Sequence, residues 1–224
     1  MRPELEALPD RMRDLPVDDR GYPVPWFVAW LDGKPEFRAM DAEKWIRAVR
    51  ERRCWVCGHR LGQWLTFVVG PMCGINRTTS EPASHLECAR WSARNCPFLS
   101  RPNMVRREDE TTQACENAGI PIKRNPGVSL LWTARSFSIF NDGAGKPVIQ
   151  LHDPESLEWW CEGKPATRAE VEHSVDTGIP IIEEIARADG EDAMQDLARR
   201  KQWLTTLYPP ATFLCAASAE RAFK

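Results

Sequence analysis

The chain has 224 residues, 42% of them hydrophobic and 28% charged, with a formal net charge of −2 at pH 7. Those proportions exclude a disordered polymer and allow one large domain, or a domain with a smaller appendage, built on its own core. No apolar run reaches the length of a membrane span, because the longest candidate, WLTFVVGPMCGI, is broken by Gly70 and Pro71.

Residues 1–20 read as a flexible, charged and Pro-rich leader without the apolar stretch of a signal peptide. A cytoplasmic protein is therefore expected, with its eight cysteines serving as thiols and metal ligands rather than as a disulfide framework. Residues 21–127 are predicted to hold a hairpin, a helix and a metal-binding unit. VPWFVAW and EFRAM read as strands around a Gly turn, and Asp41 caps a helix over 42–53. QWLTFVV then reads as a strand, GPMCGIN as a turn and RTTSEPAS as a polar loop. Ser84 and Glu87 have capping-box spacing, which starts the next helix at His85; Pro97 ends it. A short helix is expected near Thr112–Ala118. Residues 128–164 continue the core, with VSLLWTARSFSIF as one strand, NDGAGKP as its turn and VIQL as the return strand. Residues 165–224 form a helical region. Thr167 and Glu170 make a second capping box, Gly178 closes the first helix, and a helical hairpin follows. The expected fold is α+β, with β-hairpins around the metal unit and a C-terminal helical hairpin.

The metal unit is read from RRCWVCGHRLG, where Cys54 and Cys57 form a C-x-x-C-G knuckle. The pair that best completes it is His85 with Cys88, three positions apart and so on one side of a first helical turn. A structural zinc ion takes four nitrogen or sulfur ligands in a closed tetrahedron, and the positive end of the helix dipole favours thiolate at Cys88. Three other residues compete for a place: Cys73 in GPMCG, Cys96 in NCPF, and His59 beside the knuckle. Residues 54–96, a knuckle followed by apolar strand and then a helix carrying two ligands, resemble the treble-clef zinc finger. The resemblance implies Zn2+ at Cys54, Cys57, His85 and Cys88. It leaves the activity open, since treble clefs serve nucleases, ribosomal proteins and interaction modules alike. The wider stretch from CWVCG to NCPFLSRP, together with EGKPATRAEV, is similar to a group of bacterial and phage-encoded hypothetical proteins. That likeness implies a phage or mobile-element setting and carries no activity.

Charge and catalysis complete the reading. Residues 41–107 carry 12 Lys and Arg against 5 Asp and Glu, and residues 150–224 carry 8 against 14. Lys44, Arg47, Arg50, Arg53, Arg60, Arg90 and Arg94 form a candidate binding surface for phosphate backbones, which the acidic C-terminal part would screen. An HNH nuclease needs a catalytic His on the strand after the knuckle, and QWLTFVVG has no His, Asp or Glu. Asp153 with Glu162-Gly-Lys164 matches the letters of another nuclease motif, but Glu162 sits in one of three Gly-Lys-Pro turns. The functional expectation is a zinc-stabilised, non-enzymatic binding or adaptor protein with a protein or nucleic-acid partner. The alternative is a nucleic-acid-processing enzyme, HNH-like or another nuclease.

Overall fold

A computed structural model describes residues 2, 4–101 and 125–211. The helix expected near Thr112–Ala118 lies outside the described residues. The architecture is α+β, organised by a four-stranded antiparallel sheet in the order β3-β5-β8-β9. Its strands are β3 (Leu65–Val69), β5 (Val128–Ala134), β8 (Ser156–Cys161) and β9 (Lys164–Pro165). Every residue of β5 is buried, so the strand must be covered on both faces. Leu130, Trp132 and Ala134 join the main core; Leu131 faces the other way, onto Ala89, Ala93 and Trp160. Among these helices, α3 (Leu86–Asn95) covers that second face, while α2 (Pro71–Asn76) packs against β5 in the main core.

The two long C-terminal helices are part of the same core. They are α5 (Arg168–Asp189) and α6 (Glu191–Thr205), following the short α4 (Pro97–Ser100). Val171, Val175, Ile179, Ile182, Leu197 and Leu204 are all buried in it. The sequence places a helix end at Gly178, but α5 runs on through Gly178 and Pro180 to Gly190. Val171, Val175, Gly178, Ile179, Ile182 and Ala186 form one buried stripe at helical spacing, and that packing outweighs the low helix propensity of Gly and Pro.

A second sheet has the order β4-β7-β6, from β4 (Thr78–Thr79), β7 (Pro147–Leu151) and β6 (Phe137–Asn141). VSLLWTARSFSIF is thus two strands in two sheets rather than one. The break falls at Arg135 and Ser136, both exposed. An arginine cannot continue inside a layer covered on both sides without an unpaired buried charge. Trp159 and Trp160 face opposite ways, as alternation requires, and both are buried: one joins the main core and the other packs with Leu131.

The N-terminal third wraps the metal unit. Hairpin β1 (Val28–Leu31) and β2 (Lys34–Met40) turns at Asp32 and Gly33, both with positive φ, as a two-residue hairpin turn requires. Asp41 caps α1 (Ala42–Arg50) by accepting from the Lys44 amide at 3.1 Å. The helix stops three residues short of the expected Arg53, because Arg52 adopts φ 50° to turn the chain into the knuckle. The leader is not free-standing: Leu5, Leu8, Met12 and Leu15 pack on Cys54, Val56, Cys57 and Trp91.

The Thr167 and Glu170 capping box forms as read. The Glu170 amide donates to the Thr167 hydroxyl at 3.3 Å, and the Thr167 amide donates to the Glu170 carboxylate at 2.6 Å. Hydrogen bonds from the Thr167 backbone and hydroxyl hold the Glu170 carboxyl below its ordinary pKa of 4.5. A depressed carboxylate contributes stability that is present above 4.5 and is lost as pH falls through the folded value. Thr167→Ala is expected to lower unfolding free energy by about 1 kcal/mol in urea titrations at neutral pH. The difference from wild type should shrink below pH 4.5, where Glu170 takes up its proton.

Candidate metal centre

The knuckle is closed by the backbone before any side chain is considered. The Cys54 amide donates to the His59 carbonyl (2.7 Å), the Gly58 amide to the Cys54 carbonyl (2.8 Å) and the Leu61 amide to the Arg52 carbonyl (2.7 Å). Gly58 takes φ 76°, which only glycine adopts without strain, and a Cβ built there would lie 2.7 Å from the Trp26 ring. The same tryptophan donates its backbone amide to the Val56 carbonyl at 2.7 Å. Phe27 stacks on Trp55 with centroids 4.9 Å apart. The β1–β2 hairpin is thus docked on the knuckle by Trp26 and Phe27.

The second half of the site is delivered by a strap. Thr66 and Ser84 exchange both backbone hydrogen bonds, at 3.0 and 2.7 Å, and the Trp55 amide donates to the Ala83 carbonyl at 2.9 Å. Residues 83–84 are held by β3 on one side and by the knuckle on the other, immediately before α3. This use of Ser84 overrides the expected capping box. Ser84 is extended and buried, the helix begins at Leu86 with His85 as its N-cap, and Glu87 turns outward to pair with Arg11 at 2.8 Å. His85 and Cys88 still arrive on one side of the first turn.

Cys54, Cys57, His85 and Cys88 are brought together, one donor atom from each lying within 4.8 Å of all the others. The His85 Nδ1 is 3.4 Å from the Cys57 sulfur and 3.9 Å from the Cys88 sulfur. A tetrahedral ion with bonds of about 2.3 Å to sulfur and about 2.1 Å to nitrogen would separate such atoms by roughly 3.6 Å, so the cluster has the size of a metal site. Its outer partners fit as well. The His85 Nε2 lies 3.0 Å from the Arg60 carbonyl, and an N–H donated there leaves the Nδ1 lone pair for the ion. Amides of Cys57 and His85 both donate to the Cys54 sulfur at 3.4 Å. The three cysteines are buried under Met12, Val56 and Trp91.

The four groups also shape one another's protonation. At Cys54 burial opposes charge, yet hydrogen bonds with Cys57, Cys88 and His85 carry the thiol well below its ordinary value. Cys88 is pushed up, first by its hydrogen bonds to Cys54 and Cys57 and then by burial. Burial alone would lower His85, but its hydrogen bonds to Cys54 and Cys57 raise it to about 10. Three thiolates side by side would repel one another, and a divalent cation bound here would offset that repulsion.

The competing ligands lie elsewhere. Cys73 sits in α2, packed against the main core, and burial pushes its thiol up to about 11. Cys96 links α3 to α4 and is likewise raised by burial. His59 is exposed and contributes its carbonyl, not its ring. Sequence reading did not identify the carbonyl of Arg60, the ring of Trp26 or the covering Met12. The only legible hint among these was the glycine of the C-x-x-C-G pattern.

Five of the seven nominated cations are engaged in ion pairs. Arg90 makes contacts of 2.6, 2.9 and 3.1 Å with Glu158, and Arg94 pairs with Glu6 at 2.8 Å. Arg47 and Arg53 both bind Glu51, and Lys44 pairs with Asp41 at 3.5 Å. Arg50 and Arg60 are exposed and make no ion pair among the described residues. Of the other motif residues, Glu162 occupies a turn with φ 49°, Lys164 is exposed on β9, and Asp153 binds Arg77 at 2.7 Å. No helix among the described residues is long and apolar enough to cross a membrane. Compared with known protein families, curated proteins and solved structures, the chain matches none.

Gly58→Ala combines left-handed strain with a clash against Trp26. It is expected to lower stability by at least about 1–2 kcal/mol and to speed metal loss to a colorimetric chelator. An unchanged release rate and melting temperature would contradict this account of the knuckle.

Proposed function

We propose that the cluster is a structural zinc site of treble-clef type, and that the chain is a zinc-stabilised, non-enzymatic binding protein. The observation that carries this reading is His85, whose Nδ1 faces the Cys57 and Cys88 sulfurs while its Nε2 reaches the Arg60 carbonyl. That is the arrangement of a metal-ligating imidazole with its outer partner in place. Three soft sulfurs and one imidazole suit zinc better than magnesium or calcium, which prefer oxygen. Four protein ligands close a tetrahedron, whereas a catalytic zinc ion keeps one position for water or substrate.

The use made of other reactive side chains supports a non-enzymatic role. His85 is committed to the cluster, Asp153 to Arg77, and Glu162 to a turn. A protein partner is favoured over nucleic acid, because five of the seven nominated cations are already matched to carboxylates. The phage or mobile-element setting rests on the sequence resemblance alone.

Elemental analysis of untagged protein is expected to give about one zinc per chain, lost in His85→Ala and retained in Cys73→Ala and Cys96→Ala. Metal-free protein with freely titrating thiols would refute the zinc assignment. Because protons compete with the metal for Cys and His, zinc affinity should fall steadily as pH is lowered.

DNA binding is expected to be weak and confined to low salt. With Arg50 and Arg60 as the nominated cations that make no ion pair among the described residues, the nominated surface should contribute no more than about 2 to the logarithmic salt slope. A steeper slope abolished by charge reversal at Arg90 and Arg94 would shift the assignment to nucleic acid. Incubation of DNA or RNA with the protein and magnesium or manganese should produce no cleavage.

A further inference from the structure

At the C-terminal end of α2, Arg77 lies over two tryptophan rings, its guanidinium carbon 5.6 Å from the centroid of Trp132 and 5.1 Å from that of Trp203. Its carbonyl accepts from the Leu151 amide at 2.7 Å and from the Gln150 side chain at 2.9 Å. Rings and backbone together hold the guanidinium in one place, so little rotamer freedom is left to lose on binding. The Nε and Nη2 N–H groups of an arginine point the same way and fit one oxyanion side-on. Arg90 shows that fork filled, with Nε and Nη2 on the Glu158 carboxylate at 2.9 and 2.6 Å. At Arg77 it is half filled. The Nη2 donates to one Asp153 oxygen at 2.7 Å, while the Nε is buried without a hydrogen-bond partner among the described residues. The Asp153 side chain is 89% exposed, so its hold on Arg77 is a weak, solvent-screened pair.

Arg77 and Arg200 line one cleft of about 540 Å³ with Gln150, Leu151, His152 and Asp153. His152 is taken up by the Ser136 and Ser138 hydroxyls, at 2.8 and 3.3 Å. Arg200, on α6, is set in place by the Asn76 carbonyl at 2.8 Å and by Asp196 at 2.6 Å. We propose that this cleft, separate from the metal cluster, binds a phosphate monoester, with Arg77 presenting its Nε–Nη2 fork and Arg200 a second positive charge. Asp153 is the resident competitor, displaced on binding, and that competition selects the ligand. A carboxylate brings one charge and two oxygens, no more than Asp153 supplies from within the chain with the advantage of a tether. A phosphodiester of nucleic acid also has one charge and two terminal oxygens. A monoester carries about −1.5 to −2 at pH 7 and three acceptor oxygens, enough to fill the Arg77 fork and leave one for Arg200. A free small molecule and a phosphorylated side chain of a protein partner present this same group.

The test is an NMR titration of the isotope-labelled full chain with O-phosphoserine at constant ionic strength, read at the Arg77 Nε–H and the Trp203 indole N–H. Saturable shifts are expected, with affinity about tenfold or more weaker in Arg77→Gln. Asp153→Asn removes the competitor and leaves both arginines, so it should tighten binding about two- to fivefold; it decides the matter if the Arg77 variant folds poorly. Acetate and dimethyl phosphate should bind more weakly than phosphoserine. A phosphoserine peptide of otherwise neutral sequence separates the two sources: tighter binding than the free amino acid fits a phosphorylated partner, and weaker binding fits a small molecule. Absence of saturable shifts would overturn the proposal. So would shifts that acetate or dimethyl phosphate reproduce at equal concentration, or binding that Asp153→Asn fails to strengthen.

Discussion

Strand β5 is buried along its entire length, and most of the structure follows from that constraint. A strand covered on both faces needs layers above and below it, with every backbone polar group paired within the sheet. Here α2, α5 and α6 supply one layer and α3 the other. The acidic C-terminal helices are therefore core elements, with Val171, Ile179 and Leu204 in the same cluster as Trp132.

The position of α3 against the sheet is what assembles the metal cluster. Ala83 and Ser84 are tied to Trp55 and Thr66, so the first turn of α3 cannot rise without pulling on both the knuckle and β3. His85 and Cys88 come from that turn, and Cys54 and Cys57 from a loop sealed by its own backbone bonds. The core and the metal site share this junction. A metal ion bound at this junction would tie together the knuckle, α3 and the N-terminal wrap around Met12, so its removal should loosen these before the helices on the far side of the sheet.

Several basic residues of the middle of the chain are paired across long sequence separations. The excess of basic residues in the middle of the chain meets acidic groups from distant segments: Glu158 on Arg90, Glu6 on Arg94, Asp153 on Arg77. Each exposed pair contributes little to stability on its own. The site is thus an apolar, sulfur-lined junction held by hydrogen bonds.

The ligand set and the element types were legible in the sequence because they rest on short-range rules. The C-x-x-C-G pattern with a His and Cys one helical turn apart names four residues, and capping at Asp41 and Thr167 depends on neighbours three positions away. What failed to read out depends on partners far along the chain. The continuation of α5 through Gly178 and Pro180 is decided by a buried stripe, which overrides local propensity. The split of β5 from β6 at Arg135 is decided by which layer can accept a charge. The displacement of Ser84 from its capping role is decided by its ladder with Thr66, and the anchoring of the leader by the apolar cover over Cys54 and Cys88. Local chemistry determined which residues could bind a metal and where helices and turns could begin. Tertiary packing decided where they end, which charges are neutralised, and how the knuckle and α3 meet, because those outcomes depend on burial that no single segment can foresee.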